Sequence, residues 1–335
     1  MNIPHHGGDI YSYEQFNTGE LIDFSSNINP LGFPDGLKSG IMDRFEDILA
    51  YPDLEYRELK QNISDYLKVN KNNVAVGNGA VEIIDAVISY FKRLILVEPC
   101  FSEYRLRGEV HKLEIISINS KEDLKIPIKE LKETIIEGDL LILTNPHNPT
   151  GFTLTKDEIL EIYMHVLEKD AYLLLDEAFF EFANLDYNSI EIFKSLGFSN
   201  VGIIRAATKF FALPGMRLGY GVFDDEMLEK INKTTLPWTV NSFAVIASNY
   251  IFNWDYINKS REFIFHERSR FIEELNKIKG VYPYISNSNY ILIKLEGISE
   301  NMVFQNLLKN DILVRRCSNY KNLFGTHIRV AIKTA

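Results

Sequence analysis

The stretch "VAVGNGAVEII", residues 74–84, joins a short apolar run to a Gly-Asn-Gly turn and then to a helical pattern. Val81, Ile84, Val87, Ile88 and Phe91 recur at helical spacing and give that helix one buried face. A glycine turn between a strand and a helix N-terminus is an anion site, because the first N–H groups of a helix have no partner within it. Working outward, "NVAV" (73–76), "RLILVE" (93–98), "DLLILT" (139–144), "AYLLLD" (171–176) and "NVGIIR" (200–205) read as strands buried on both faces. Helical stretches separate several of them. In "TKDEILEIYMHVLEKD" (155–170), Thr155 can cap a first turn that carries Asp157 and Glu158. The alternation predicts an α/β domain with a mostly parallel sheet covered by helices.

After about residue 235 the pattern changes. A long helical region (253–280) leads to strand-like "NYILIKL" (289–295), a helix, "ILVRR" (312–316) and "HIRVAI" (327–332), the pattern of a smaller α+β domain. The expected division is an N-terminal arm and substrate loop (1–35), a large domain (36–235) and a small C-terminal domain (236–335).

Composition limits the partners. A net charge of −10 argues against nucleic-acid binding, which needs a basic face, and means that any phosphate is held by local cations and backbone dipoles. Two cysteines, Cys100 and Cys317, are too few for a disulfide framework and fit a reducing compartment. The N-terminus has no basic region followed by an apolar stretch, and no run approaches membrane-spanning length, so the expectation is a cytoplasmic protein without a membrane partner. The histidines show no metal-ligand spacing, and no metal is expected.

In a parallel sheet, ligands gather at the carboxyl ends of the strands. Those ends carry a glycine turn, an Asn in "NPHNPTG", an Asp in "LLLDEAFF" and a Lys in "TKFFALPGMRLGY". Each alone has an ordinary reading as turn, loop, cap or solvated cation. Together they match the needs of pyridoxal phosphate: a lysine amine, an anion cradle, a carboxylate at the pyridine nitrogen and a donor near the ring hydroxyl. A lysine in that role must be usable as a neutral amine, which desolvation and nearby cations favour.

In motif order and spacing the chain resembles the aspartate-aminotransferase-like family of pyridoxal-phosphate enzymes over nearly its whole length. The motifs are "GNGAVE", "EPCFSEY", "NPHNPTG", "DEAFF", "TKFFALPGMRLGY" and the late arginines, with Arg217 eight residues beyond Lys209. The resemblance implies a seven-stranded-type, mostly parallel sheet in the large domain. It makes Lys209 the amine that carries the cofactor and moves protons, and Asp176 the partner of the pyridinium nitrogen. Asn148 would donate to the ring hydroxyl, and Phe101 would stack on the ring. Gly79, Ala80, Val81, Thr208 and Arg217 would hold the cofactor phosphate, joined by Tyr51 from a neighbouring subunit, which implies a homodimer. Arg329 would bind the substrate's α-carboxylate, with Arg315 nearby. Ala206 and Ala80 stand where the family usually has hydroxyls, and the family pattern continues past "RVAIKTA" with a closing helix.

Within the family, the likeness is to threonine-phosphate decarboxylases of cobalamin synthesis and to histidinol-phosphate aminotransferases. "HHGGDIY" (5–11), "DFSSNINPLGFP" (23–34), which includes Asn29, and the C-terminal stretch (312–334) favour the decarboxylases, although these usually have an acid in place of Arg316. Phe179 stands where transaminating relatives usually carry a tyrosine bonded to the ring hydroxyl. The resemblance makes His6 a ligand for a substrate phosphate; the plain alternative is a solvated histidine. The two reactions differ in which bond at the α carbon lies perpendicular to the cofactor ring, an angle the sequence does not give. A dinucleotide dehydrogenase is the rival from another class, but Glu82 occupies its third glycine position and would repel a pyrophosphate. A non-catalytic relative is the other rival.

Overall fold

Short apolar runs become adjacent strands because helices cover both faces of the sheet they form. The computed structural model describes residues 6–13, 19–183 and 185–334. After β1 (Ile22–Asp23), the chain builds a seven-stranded sheet from β2 (Val74–Asn78), β3 (Arg93–Glu98), β4 (Glu114–Asn119), β5 (Leu140–Thr144), β6 (Tyr172–Asp176), β7 (Val201–Ala206) and β8 (Leu218–Val222). Its spatial order is β2-β8-β7-β6-β5-β3-β4, and β8 alone runs against its neighbours. Side chains alternate between the two faces. Leu141, Leu143, Leu173 and Leu175 enter one core cluster, while Leu140, Ile142, Tyr172 and Leu174 enter the other.

The chain turns outward in both directions from β3, to β4 on one side and β5 on the other, so the topological switch lies between β3 and β5. Phe101 and Asn148 follow the two strands of that switch, Asp176 ends the next strand, β6, and Lys209 follows β7, one strand further.

The helix over 155–170 spans Lys156–Glu168, with a capping box between Thr155 and Glu158. The expected 253–280 helix is Trp254–Asn276, started by the Asn253 side chain, which accepts from the N–H groups of Asp255 and Tyr256. It is followed by β9 (Val281–Pro283), β10 (Tyr290–Leu295), β11 (Ile312–Leu313), β12 (Arg315–Arg316) and β13 (His327–Ala331).

An antiparallel sheet of order β12-β13-β10-β9 forms the smaller layer. "ILVRR" is therefore not one strand. β11 pairs in parallel with β1, whereas β12 pairs with β13. Residues 22–24 thus belong with the small sheet, and Ala331 N–H donates to the Phe24 carbonyl at 2.9 Å. Helix Ser242–Ile251 packs on helices Leu37–Asp43 and Arg57–Leu67 of the large layer. Among the described residues, no helix is long and apolar enough to cross a membrane.

Candidate active site

Asp176 ends β6 and is buried. Its Oδ2 accepts from Tyr104 Oη at 2.6 Å and its Oδ1 from Ala178 N–H at 2.9 Å, while Tyr104 Oη also lies 2.9 Å from Thr144 Oγ1. Burial pushes the Asp176 pKa up, against the pull of those two donors. A carboxylate in this setting is stabilised by a cation placed against it.

Lys209 lies in the short helix Ala207–Phe210, directly after β7. Burial, then the charges of Arg329 and Arg217, lower its pKa to about 8, with Asp23 opposing. Its amine is therefore available without its proton far below the usual lysine range.

Gly79 precedes helix Ala80–Ile88 with φ 82°, and no side chain caps that helix. A Cβ on Gly79 would stand 2.2 Å from Arg217 Nη2. Glycine here is what lets a guanidinium meet a helix N-terminus, and the two together attract an anion. Glu82, where the dehydrogenase pattern needs glycine, turns back on the loop and accepts from Asn78 N–H at 2.6 Å.

Asp176, Tyr104, Thr144, Lys209 and Arg217 border one cavity of about 400 Å³, lined also by Ala80, Val81, Phe101, Asn148, Phe179, Ala206, Thr208, Arg315, Arg329 and His6, while Gly79 stands just behind the wall at the start of the Ala80–Ile88 helix. Asn148 Oδ1 accepts from Arg329 Nη1 at 2.5 Å and from Tyr320 Oη at 3.4 Å. Arg329 also donates to the Ser25 carbonyl at 3.3 Å. Arg315 and Arg329 are directly opposite in the β12–β13 ladder, so their side chains leave the same face. Arg315 donates to Asn319 Oδ1 at 2.9 Å and to the Arg316 carbonyl at 2.7 Å. Phe101 meets Tyr104 edge-on, and the His6 ring lies 5.7 Å from it. Phe179 packs edge-on against Tyr290.

Asn29 and Tyr51 do not line this cavity, and Tyr51 is expected at a neighbouring subunit's site. Asn29 spends its amide nitrogen on the Phe210 carbonyl, Tyr256 Oη and Ser260 Oγ at 2.9–3.0 Å, and its N–H donates to the Lys209 carbonyl. It ties the N-terminal loop to the Lys209 segment. Tyr51 is 79% exposed and its ring meets that of Trp238 at a tilt, away from the cavity of its own chain. His5 lies outside the described residues. Sequence reasoning missed Tyr104, Thr144, Glu103 and Tyr320. The "FSEY" motif and the Thr ending "DLLILT" were the available signals, yet nothing in them shows which carboxylate Tyr104 meets.

A family model, aminotransferase class I and II, matches residues 19–335. The chain belongs to that family. It is 36% identical to a protein of Caldanaerobacter subterraneus subsp. tengcongensis described as "Putative threonine-phosphate decarboxylase", covering 99% of this chain and 90% of that one. Identity to the threonine-phosphate decarboxylase of Salmonella typhimurium is 31%, over 98% and 92% of the two chains. Identity to a histidinol-phosphate aminotransferase of the same Caldanaerobacter is 28%, over 97% and 92%. Among solved structures, a histidinol-phosphate aminotransferase from Clostridium acetobutylicum superposes with a TM-score of 0.89 at 36% identity, covering 93% of this chain and 94% of that one. This class I and II aminotransferase relative is a pyridoxal-phosphate enzyme. Its residues fit that cofactor: an uncapped helix end beside Arg217 for the phosphate, a buried carboxylate for a ring cation, and a lysine amine readily freed of its proton.

Proposed function

We propose that the chain decarboxylates L-threonine O-3-phosphate to 1-amino-2-propanol phosphate, a step of cobalamin side-chain synthesis, as a cytoplasmic homodimer. The observation that carries this reading is the pairing of Arg315 and Arg329 on one face of the small sheet, with His6 across the same small cavity. With Lys209 and Arg217 given to the cofactor, three cationic or ionisable groups remain for one small molecule bearing a carboxylate and a phosphate. Histidinol phosphate brings a single anion. Phe179 supports the reading as well, since its buried ring adds no hydroxyl to the cofactor face.

In this proposal Lys209 holds the cofactor's aldehyde carbon, Asp176 its ring nitrogen, and Asn148 its ring hydroxyl. Gly79, Ala80, Val81, Thr208 and Arg217 hold its phosphate, and Phe101 covers the ring. Bound there, pyridoxal phosphate supplies an electron sink for the bond broken at the substrate's α carbon. Arg329 grips the carboxylate and so sets the angle that selects which bond breaks. Arg315 and His6 take the phosphate. With the substrate's own amine displacing Lys209 from the aldehyde carbon, Lys209 Nζ would be free to hold a proton and, after CO₂ leaves, deliver it to the α carbon, a transfer suited to an amine whose pKa is about 8.

The Clostridium likeness favours a second reading, transamination of histidinol phosphate. The holoenzyme incubated with threonine phosphate should release CO₂. Histidinol phosphate with 2-oxoglutarate should form no glutamate. The reverse outcome makes the chain an aminotransferase.

A further inference from the structure

Glu103 has no part in the roles assigned above, yet it stands on the cavity wall two residues after Phe101, in helix Ser102–Val110. Its Oε1 lies 2.8 Å from His6 Nε2; the Glu103 side chain is 19% exposed and that of His6 48%. The arm is anchored at a second point. Gly8 N–H donates to Ser25 Oγ at 2.8 Å, and the Ser25 carbonyl in turn accepts from Arg329. Residues 6–8 therefore cross from the Arg329 side of the cavity to the Phe101 side, and Glu103 receives the far end.

We propose that Glu103 is a positioning residue for recognition of the substrate's phosphate. It fixes His6 at the cavity mouth, and the contact with His6 in turn occupies a carboxylate oxygen that would otherwise face the same anion. The inference rests on the phosphorylated-substrate reading. A carboxylate largely withdrawn from water on the wall of a small cavity acts on an entering anion at reduced dielectric, so its sign matters. Like charges brought together at a binding surface reject partners strongly. Without His6 the mouth carries a bare negative charge; without Glu103, His6 is present but no longer held. The two losses must then be coupled and cannot act independently.

The test is a double-mutant cycle on the holoenzyme, read as the Kd of 1-amino-2-propanol phosphate by calorimetry, with unphosphorylated 1-amino-2-propanol as control. This probe binds whether or not CO₂ is ever released, so a failed decarboxylation assay and a failed cycle are separate results. His6→Ala should weaken the phosphate probe by at least about tenfold. Adding Glu103→Ala to His6→Ala should tighten binding again by about threefold or more, to the level of Glu103→Ala alone. Glu103→Gln, which removes the charge at nearly constant shape, should relieve the His6→Ala variant equally. The unphosphorylated amine and the cofactor's visible spectrum should not change. Multiplicative effects of the two substitutions, or equal losses for both amines, would overturn the proposal.

Discussion

Lys209 and Asp176 are shifted in opposite directions by one cause, since burial disfavours a charge of either sign. For Lys209 the ordinary pKa is 10.5 and the folded value about 8, so between those pH values the unfolded chain binds the extra proton. Stability of the cofactor-free protein should therefore rise as pH climbs through that window. Below it, a constant penalty on the order of 3 kcal/mol remains. Lys209→Met removes the titration, so its stability advantage by urea unfolding should shrink from pH 8 to pH 10.5; a pH-independent difference places the proton elsewhere. Asp176→Asn keeps the shape and hydrogen-bonding reach of the side chain but not the charge. It should retain some cofactor while kcat falls by at least about 10²-fold, and normal turnover would mean that Asp176 does not face the ring nitrogen. Both residues were legible because they end or follow apolar strands. Tyr104 and Glu103 were not, since their partners Asp176 and His6 lie 72 and 97 residues away along the chain.

Elements were legible where two-sided burial gave unbroken apolar runs, as in β5 and β6. β4 escaped notice because it is an edge strand, only partly covered. β8, "LGYGV", is diluted by glycines for a physical reason: a Cβ on Gly219 would come within 2.3 Å of Ala80 N, at the start of the cradle helix. The small domain was blurred by "ILVRR", whose two halves pair with different strands, and by the N-terminal segment, which joins that domain from the other end of the chain. The meeting of Gly79 with Arg217 is the element-scale device most open to test. Gly79→Ala places a methyl group on the guanidinium and strains a backbone at φ 82°. The helix should survive by circular dichroism while the Kd for pyridoxal phosphate rises by at least about tenfold, the scale of one or two lost charge-assisted contacts. Unchanged cofactor affinity would separate this helix end from the phosphate.

At the scale of the molecule, the proposed homodimer needs a surface to bury. Leu49, Tyr51 and Leu236 are 73–80% exposed, Trp238 is 42% exposed, and the Tyr51 and Trp238 rings meet at a tilt with centroids 4.6 Å apart. Phe45 and Phe243 make a further aromatic contact between the same two segments. An apolar, aromatic surface of this kind on a chain of net charge −10 is suited to burial against its own symmetry mate. If Tyr51 reaches the phosphate in the neighbouring subunit, each site draws Lys209 from one chain and Tyr51 from the other. Lys209→Ala should be inactive because it lacks the amine, and Tyr51→Ala should be weakly active at limiting cofactor because it lacks the phosphate contact. Mixing the two variants under conditions that exchange subunits produces hybrid dimers in which one site has both residues intact and the other has neither. Random reassortment of equal amounts leaves about a quarter of all sites complete. Activity at limiting cofactor should therefore rise on mixing, toward about that fraction of wild type, and track the hybrid population on native mass spectrometry. A mixture no more active than its two components, despite formed hybrids, would confine Tyr51 to its own chain and leave the apolar surface without a part in the active site.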